Sequence, residues 1–567
     1  MENQELAKIF YEMAVYLEMM DEVVFKFKAY EKAGQSIEGL AESVEEIYKR
    51  GGIKALMEIP GIGKNIAEKI SEYLRTGKIR EYLQLKKKIP VDLGGLMKIE
   101  GVGPKKIKVL YKKLKIRNAK ELEIAAKKGK ISKLKNFGEK SEKNILESIE
   151  FLKRSKGRFL ISEILPVVRE IVAKLKSLKE VKQISLAGSL RRMKETIGDA
   201  DILAVANKSD KVMDYFVSLP GVVKIWGKGA TKSSVRMKHG FDVDLRVVPE
   251  KSFGSALQYF TGSKEHNIAT RKIAIEKGFK LNEYGIKTEK EVYARLGLPY
   301  IEPELRENTG EIKVALKNKL PKLVELKDIH GDLQIHSTWS DGVNSIKEMA
   351  ETAQKIGYEY IAITDHVGRL KIAGAMAESQ IKRQWQEIDK LNKSFGNPPA
   401  GGFKILKGAE VDINPDGTIA CDDKILSQFD VVLGSLHSSF KIPKEKMTKR
   451  LVRAMENPYV DIIAHPTTRL IARRDEVVLD WEEIFKIAKR TGTILEINAY
   501  PARLDLKDVY IKQAIEAGVI LSLGTDSHEK SQLHFMEYGV SQARRGWAEK
   551  KNIVNCWPLD KLLNFLK

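Results

Sequence analysis

From the start of the chain to about residue 155, apolar residues recur at helical spacing, in short stretches broken by glycine-rich turns. From about 156 to 250 the pattern changes to strand-like runs, VKQISLAGS, DADILAVA and FDVDLRVV, between helical stretches. Residues 251–318 again read as mixed. A lysine-rich stretch, KVALKNKLPKLVELKD, then leads into the last region, 328–567. There, short apolar runs follow one another: DLQIHS, YIAITDH, ILKGAEVDI, VVLGSLHS, DIIAHP, TILEINA and ILSLGTDSH. Buried parallel strands look like this, and most of these runs are followed by a helical stretch, the order expected of a barrel of strands and helices. The pattern divides the chain into helical regions at 1–85 and 86–155, mixed regions at 156–250 and 251–318, a linker at 319–327 and a barrel at 328–567.

Composition narrows the function classes. A chain of 567 residues with 43% hydrophobic residues suits several globular domains. No apolar stretch is long enough to cross a bilayer, the polar opening MENQELAKIF does not read as a signal peptide, and two cysteines make no disulfide framework. A cytoplasmic monomer without membrane contact is expected. The 99 basic and 77 acidic residues leave a net charge of +22, which calls for a polyanionic partner. Lys112, Lys113, Lys115, Arg117, Lys127, Lys128, Lys130, Lys133 and Lys135 crowd one segment.

Two glycine turns say how such a partner is gripped. Ile59-Pro60-Gly61-Ile62-Gly63-Lys64 and Ile99-Glu100-Gly101-Val102-Gly103-Pro104-Lys105 each precede a helical run. Glycine allows a tight turn and close backbone approach, and the following helix offers unpaired N–H groups to a phosphate. Gly61, Gly63, Lys64, Gly101, Gly103 and Lys105 are the candidate DNA contacts, and they resemble helix-hairpin-helix motifs. A degenerate third copy reads Asn136-Phe137-Gly138-Glu139-Lys140.

A carboxylate trio carries the next chemistry. Gly188-Ser189-Leu190-Arg191-Arg192 is followed by Gly198-Asp199-Ala200-Asp201, and a later strand supplies Asp244. Strand residues two apart share a face, so Asp199 and Asp201 can hold cations together. Three carboxylates around two Mg²⁺ or Mn²⁺ ions would clamp the attacking and leaving oxygens of an in-line displacement. A Gly-Ser turn before Asp-x-Asp is the nucleotidyltransferase signature. With Tyr259-Phe260-Thr261-Gly262-Ser263-Lys264-Glu265-His266-Asn267, the first 318 residues or so resemble family X DNA polymerases, the group that includes DNA polymerase beta.

The resemblance implies helix-hairpin-helix N-terminal domains, an α+β palm and a thumb. It implies Asp199, Asp201 and Asp244 as metal-binding catalytic carboxylates. Ser189, Arg192 and Gly198 would meet the triphosphate, Tyr259, Phe260 and Gly262 the sugar, and Asn267 the base edge. It further implies a 5′-deoxyribose phosphate lyase that attacks through Lys69, supported by Lys26 and Tyr30. Asn65 and Glu81 depart from that pattern, since lyase-proficient members carry phosphate-gripping lysines there.

In the barrel region His336, Asp341, His366, Glu410, His437, His465, Asp526 and His528 lie at or just past the ends of apolar runs. The chain has nine histidines and five are in this set. Carboxylate and imidazole at a barrel rim suit Zn²⁺ or Mn²⁺. The region resembles a polymerase and histidinol phosphatase (PHP) domain, a distorted (β/α)7 barrel with a cluster of up to three metals. Glu410 is the candidate bridge between two of them. The usual His-x-His of the first motif is here Gln334-Ile335-His336, and Gln offers only an amide oxygen; polymerase-attached PHP domains tolerate this. Asp412, His239, His266, His330 and His534 read as structural or surface residues.

The whole resemblance implies a repair polymerase that fills short gaps in nicked or gapped duplex from deoxynucleoside triphosphates. Its barrel would act as a 3′-5′ exonuclease or cleave at abasic sites. The alternative is a polymerase whose barrel is only a metal-stabilised platform. A nucleotidyltransferase acting on RNA or small molecules is disfavoured by the hairpins, the charge and the YFTGS segment.

Overall fold

The computed structural model describes residues 2–566 apart from 21, 39, 41, 98, 100–101, 135–136, 155–156, 369–373 and 397–401. Helices fill residues 2–154. Their buried faces form one cluster that runs from Leu6 to Ile149, across position 85. Within it the two glycine hairpins repeat one design. Ile59 and Ile62 in one, and Ile99 and Val102 in the other, are buried anchors joined by an i→i+3 backbone hydrogen bond. Gly63 and Gly103 then open the helices Lys64–Thr76 and Pro104–Leu114 with no side-chain cap. Gly101 and Asn136, of the second and third copies, lie outside the described residues.

Strands begin with a short ribbon of β1 (Phe159–Leu160) and β3 (Thr196–Ile197). The palm sheet is built from β2 (Val181–Leu186), β4 (Asp199–Ala206), β5 (Val222–Lys228), β6 (Lys232–Met237) and β7 (Asp242–Val247), in the order β2-β4-β7-β6-β5. Three neighbouring pairs are antiparallel; β4 and β7 are parallel, with Asp199 opposite Asp242 and Asp201 opposite Asp244. Residues 251–318 hold the helices Phe253–Thr261, Lys264–Glu276, Glu289–Arg295 and Glu311–Ala315 and no strand, which corrects the mixed pattern expected there. The apolar residues of that region pack around Tyr293 and Leu296 as a helical cluster.

All seven expected barrel strands form. They are β8 (Gly331–Ile335), β9 (Tyr360–Ile363), β11 (Lys404–Asp412), β12 (Val431–Ser435), β13 (Ile462–Ile463), β14 (Ile494–Asn498) and β15 (Leu521–Gly524), with a two-residue β10 (His366–Val367) beside β11. They pair in sequence order, each parallel to the next. The ring closes just past the strand ends: His336 N–H donates to the Ser527 carbonyl at 2.8 Å and Asp526 N–H to the Gln334 carbonyl at 3.0 Å. Leu333, Tyr360, Leu406, Leu433, Ile462 and Ile494 cluster with Val554, Trp557 and Leu562 of the C-terminal segment. A second, larger cluster joins the strands to the surrounding helices. Residues 319–327 are not a loose tether: Val324 N–H bonds the Ala548 carbonyl at 2.9 Å, and Leu323 and Val324 are buried. The palm core takes in Leu504 and Tyr538 of the barrel, so the two share an apolar interface.

Candidate functional sites

At the barrel rim the alternation of β11 turns Glu410 towards four imidazoles. His336 Nε2 and His437 Nε2 each stand 3.2 Å from its carboxylate, His465 Nε2 3.1 Å and His366 Nδ1 3.8 Å. Asp526 Oδ1 is 3.4 Å from His336 Nε2, and Asp341 lies 3.4 Å from His528 and 3.7 Å from His366. All eight expected residues therefore meet in one place. Seven of them form three overlapping donor groups: His336, Asp341, His366 and His528; His366, Glu410 and His437; and His336, Glu410 and Asp526; His465 joins through Glu410. Glu410, His336 and His366 each belong to two groups, so the groups adjoin, and of the three only the carboxylate has a second oxygen to offer a neighbouring cation.

The donor set fits divalent cations. Both ring nitrogens of His336 and Nδ1 of His465 are buried without a hydrogen bond, although His336 Nε2 has two carboxylate oxygens close by. Lone pairs that converge on a point without hydrogen-bond geometry are what a metal site needs. Electrostatics agree. Burial raises the Glu410 carboxyl, but His366 and then the close imidazoles of His336, His437 and His465 hold it well below its ordinary range. Burial lowers His437, yet Asp412 and Glu410 hold it up at about 9. Burial takes His465 down to about 4. His465 and Asp526 have φ of 30° and 54°, a backbone region unfavourable to side chains, so two of the eight are held under strain.

Sequence reasoning missed part of this shell. Asp412 is not a bystander: its Oδ1 accepts from His437 Nδ1 at 2.6 Å, which fixes the ring and leaves Nε2 facing Glu410. Its place two residues after Glu410 on one strand was the available signal. Glu496 and Asn498 of β14 are also buried here. Tyr500 N–H donates to Asn498 Oδ1, so Asn498 Nδ2 faces Gln334 Oε1 at 3.1 Å and Asp526 Oδ2 at 3.2 Å. Gln334 Nε2 then donates to Glu410 Oε2 at 3.1 Å. Gln334 thus orients the Glu410 carboxylate and its oxygen is already engaged. His266, as expected, is structural, buried between Glu311 and Tyr293.

In the palm, Asp199 opens β4 and Asp201 follows on the same face, with Asp244 beside it on β7. Burial, then the charges of Asp199 and Asp244, raise the Asp201 carboxyl to about 6. Lys232 partly offsets this crowd, 2.6 Å from Asp244 Oδ2. Gly188 has φ of +60°, and a Cβ there would stand 2.3 Å from Asp201 Oδ2, so only glycine lets the turn pass behind the carboxylate. Ser189 lies in the one-turn helix that follows, and Gly198 directly precedes Asp199. Arg192 Nε donates to Glu307 at 3.0 Å and Nη1 to the Thr261 carbonyl. Tyr259 and Phe260 pack edge to face, with centroids 5.0 Å apart, just before Gly262. Asn267 is buried; Gln258 donates to its Oδ1 and it donates to the Tyr259 carbonyl.

The first domain carries a cavity of about 470 Å³ lined by Lys26, Lys69, Glu72, Arg80, Glu81 and Lys88, among others. Lys69 Nζ sits 2.9 Å from Glu81 and also bonds Asn65. Tyr30 donates to the same Glu81. The two departures from the lyase pattern are therefore the two partners of Lys69.

Comparison with known proteins follows this geometry. Residues 1–79 match a helix-hairpin-helix domain, 94–150 a SAM-like helix-hairpin-helix tandem, 256–307 a DNA polymerase beta thumb and 332–500 a PHP domain. Across all of both chains, the sequence is 40% identical to the DNA polymerase/3′-5′ exonuclease PolX of Bacillus subtilis (strain 168). The chain belongs to the family X DNA polymerases that carry a PHP domain. The barrel has separate relatives. A protein described as a probable phosphatase in Thermoanaerobacter sp. (strain X514) is 28% identical over 40% of this chain and 88% of its own. One from Acetivibrio thermocellus, described in the same words, is 30% identical over 33% of this chain and 73% of its own. In this family X chain, then, the barrel is a unit that also occurs without polymerase domains. Among the described residues no helix is long and apolar enough to cross a membrane.

Proposed function

We propose that the chain is a monomeric, cytoplasmic DNA polymerase that fills short repair gaps from deoxynucleoside triphosphates and that its barrel removes 3′-terminal nucleotides and cleaves beside abasic sites. One observation carries this reading: the chain holds two carboxylate-centred clusters on two different folds, an aspartate trio across β4 and β7 and, at the barrel rim, seven residues in overlapping donor groups with His465 beside them. The B. subtilis relative bears both activities in its name.

In the palm, Asp199, Asp201 and Asp244 would hold Mg²⁺ or Mn²⁺, which when bound neutralises the phosphates and aligns the displacement. Ser189, Arg192 and Gly198 would seat the triphosphate, and Tyr259, Phe260 and Gly262 the sugar. Asn267 would reach the base edge by exchanging its bond to the Tyr259 carbonyl. The uncapped helix ends after Gly63 and Gly103, with Lys64 and Lys105, would hold duplex phosphates without reading sequence. At the rim, Zn²⁺ or Mn²⁺ held by the eight residues would supply Lewis acidity for phosphodiester hydrolysis. Asp412 keeps His437 oriented, while Gln334 and Asn498 keep Glu410 and Asp526 oriented. A metal-stabilised platform would hold cations through the same unbonded imidazole nitrogens, so release of nucleotides, not the donor set, separates it from a nuclease. The lyase step at Lys69 would first need release from Glu81 and Asn65, which weighs against it.

Two variants test the division of labour on a gapped duplex with Mg²⁺ or Mn²⁺. Asp199→Ala should lose synthesis and keep hydrolysis, and His366→Ala should do the reverse. Loss of both activities in either variant would overturn the assignment.

A further inference from the structure

Arg545 ends the barrel helix Met536–Arg545 and is only 6% exposed. Its guanidinium does not serve the barrel rim. Nη2 pairs with Asp508 of the barrel at 2.5 Å, while Nη1 crosses to the polymerase half. There it donates to the Arg192 carbonyl at 2.9 Å and to Glu307 Oε1 at 3.0 Å. That same Oε1 accepts from Arg192 Nε at 3.0 Å, and Lys194 stands 3.7 Å away. One barrel side chain therefore holds both the backbone of Arg192 and the carboxylate that holds its guanidinium.

We propose that Arg545 is a positioning residue for nucleotide binding in the polymerase site, so that the barrel forms part of the polymerase's own triphosphate pocket. The inference rests on the reading that Arg192 meets the triphosphate. With Nε and Nη1 engaged by Glu307 and the Thr261 carbonyl, Arg192 Nη2 has no hydrogen bond among the described residues and is the edge left for a phosphate oxygen. Two effects of Arg545 act in the same direction. Its bond to the Arg192 carbonyl fixes the end of the Gly188–Arg191 turn, which carries Ser189. Its charge on Glu307 reduces that carboxylate's hold on Arg192, leaving more positive potential for the incoming anion. Without Arg545, Glu307 would face Arg192 with its negative charge less compensated, and the turn would lose its anchor. Both changes weaken triphosphate binding in the ground state, so they belong in KM rather than kcat.

Single-nucleotide gap filling by the full chain tests this, with KM for the deoxynucleoside triphosphate and kcat measured separately. Arg545→Gln should raise KM about five- to tenfold with kcat within about twofold, and exonuclease activity should persist as a report that the barrel is folded. Arg545→Lys, whose one ammonium keeps the charge but not the forked geometry, should recover part of this and stay about two- to threefold above the wild type. Arg192→Gln should raise KM by at least about tenfold, which tests the underlying reading separately. Arg169→Gln breaks another palm–barrel ion pair, to Glu537, and should leave KM unchanged. An unchanged KM in folded Arg545→Gln, beside a raised one in Arg192→Gln, would overturn the inference and leave the Arg192 reading standing. An unchanged KM in Arg192→Gln would overturn that reading and the inference with it. An equal rise in Arg169→Gln would reduce the effect to general loosening and overturn the inference. If Arg545→Gln does not fold, Arg545→Lys decides, and a wild-type KM there refutes the proposal.

Discussion

Replacing a candidate catalytic aspartate should make the metal-free protein more stable. Asp201 is packed behind Gly188 and faces Asp244 across the parallel pair. Burial first, then the charges of Asp199 and Asp244, raise its pKa from 3.8 to about 6, against the pull of Arg246 and Lys232. The folded state therefore binds this proton more tightly than the unfolded chain. The contribution of this group to stability is highest below pH about 4, falls as the pH rises through about 6, and stays low above it. The gap between the two values corresponds to roughly 3 kcal/mol at neutral pH. Solvent screening of the partly exposed carboxylate reduces this to about 2 kcal/mol. Asn cannot ionise, so Asp201→Asn should recover most of that. In a unit the size of the palm and thumb together, the gain is about 4–8 °C in the midpoint of their transition. The assay is scanning calorimetry of the full chain in EDTA at pH 7.5 and again near pH 4. The gain should appear at the higher pH and vanish at the lower. Millimolar Mg²⁺ should reverse the order, because only the wild type gains from binding it. No stabilisation at pH 7.5, or the same stabilisation at both pH values, would refute the electrostatic account of this site.

Three other perturbations probe the remaining sites. Asp412→Ala removes the acceptor that orients His437 and should cut exonuclease activity or metal affinity by about 10- to 100-fold while gap filling is unchanged, as a metal titration of both activities would show. Gln334→His places an imidazole beside Glu410 and Asp526, so the chain should retain more metal after gel filtration, by elemental analysis; equal content would mean that Gln334 is not what limits the centre. Glu81→Gln frees Lys69 from its ion pair and should increase borohydride trapping on a 5′-deoxyribose phosphate end, whereas Lys69→Ala should abolish it. An adduct that survives in Lys69→Ala would remove this lysine from the lyase question.

Much of the site was legible in the sequence because its residues sit at strand ends, where local pattern and chemistry coincide. Each barrel ligand follows an apolar run, and the spacing of Gly188-Ser189 to Asp199-x-Asp201 is local. The helical character of residues 251–318 was not legible, since apolar residues of its short helices and of the turns between them serve one cluster around Tyr293, which breaks the helical period. Asp412 looked like one more surface carboxylate until β11 and β12 placed it against His437. Gln334 read as a poor ligand; its role as a donor to Glu410 depends on Asn498, and that in turn on the Tyr500 amide.

By itself the sequence determined the helical start, the number of barrel strands and the candidate side chains for metal chemistry, because periodicity and motif spacing are properties of a short stretch of chain. Only the tertiary structure decided which of those side chains share a proton or a carboxylate. It also decided that residues 319–327 dock on the barrel, and that Arg545 reaches Arg192, more than three hundred positions earlier. Such contacts arise when buried charges from remote segments must find partners on leaving water, and no local pattern records which partner each will find.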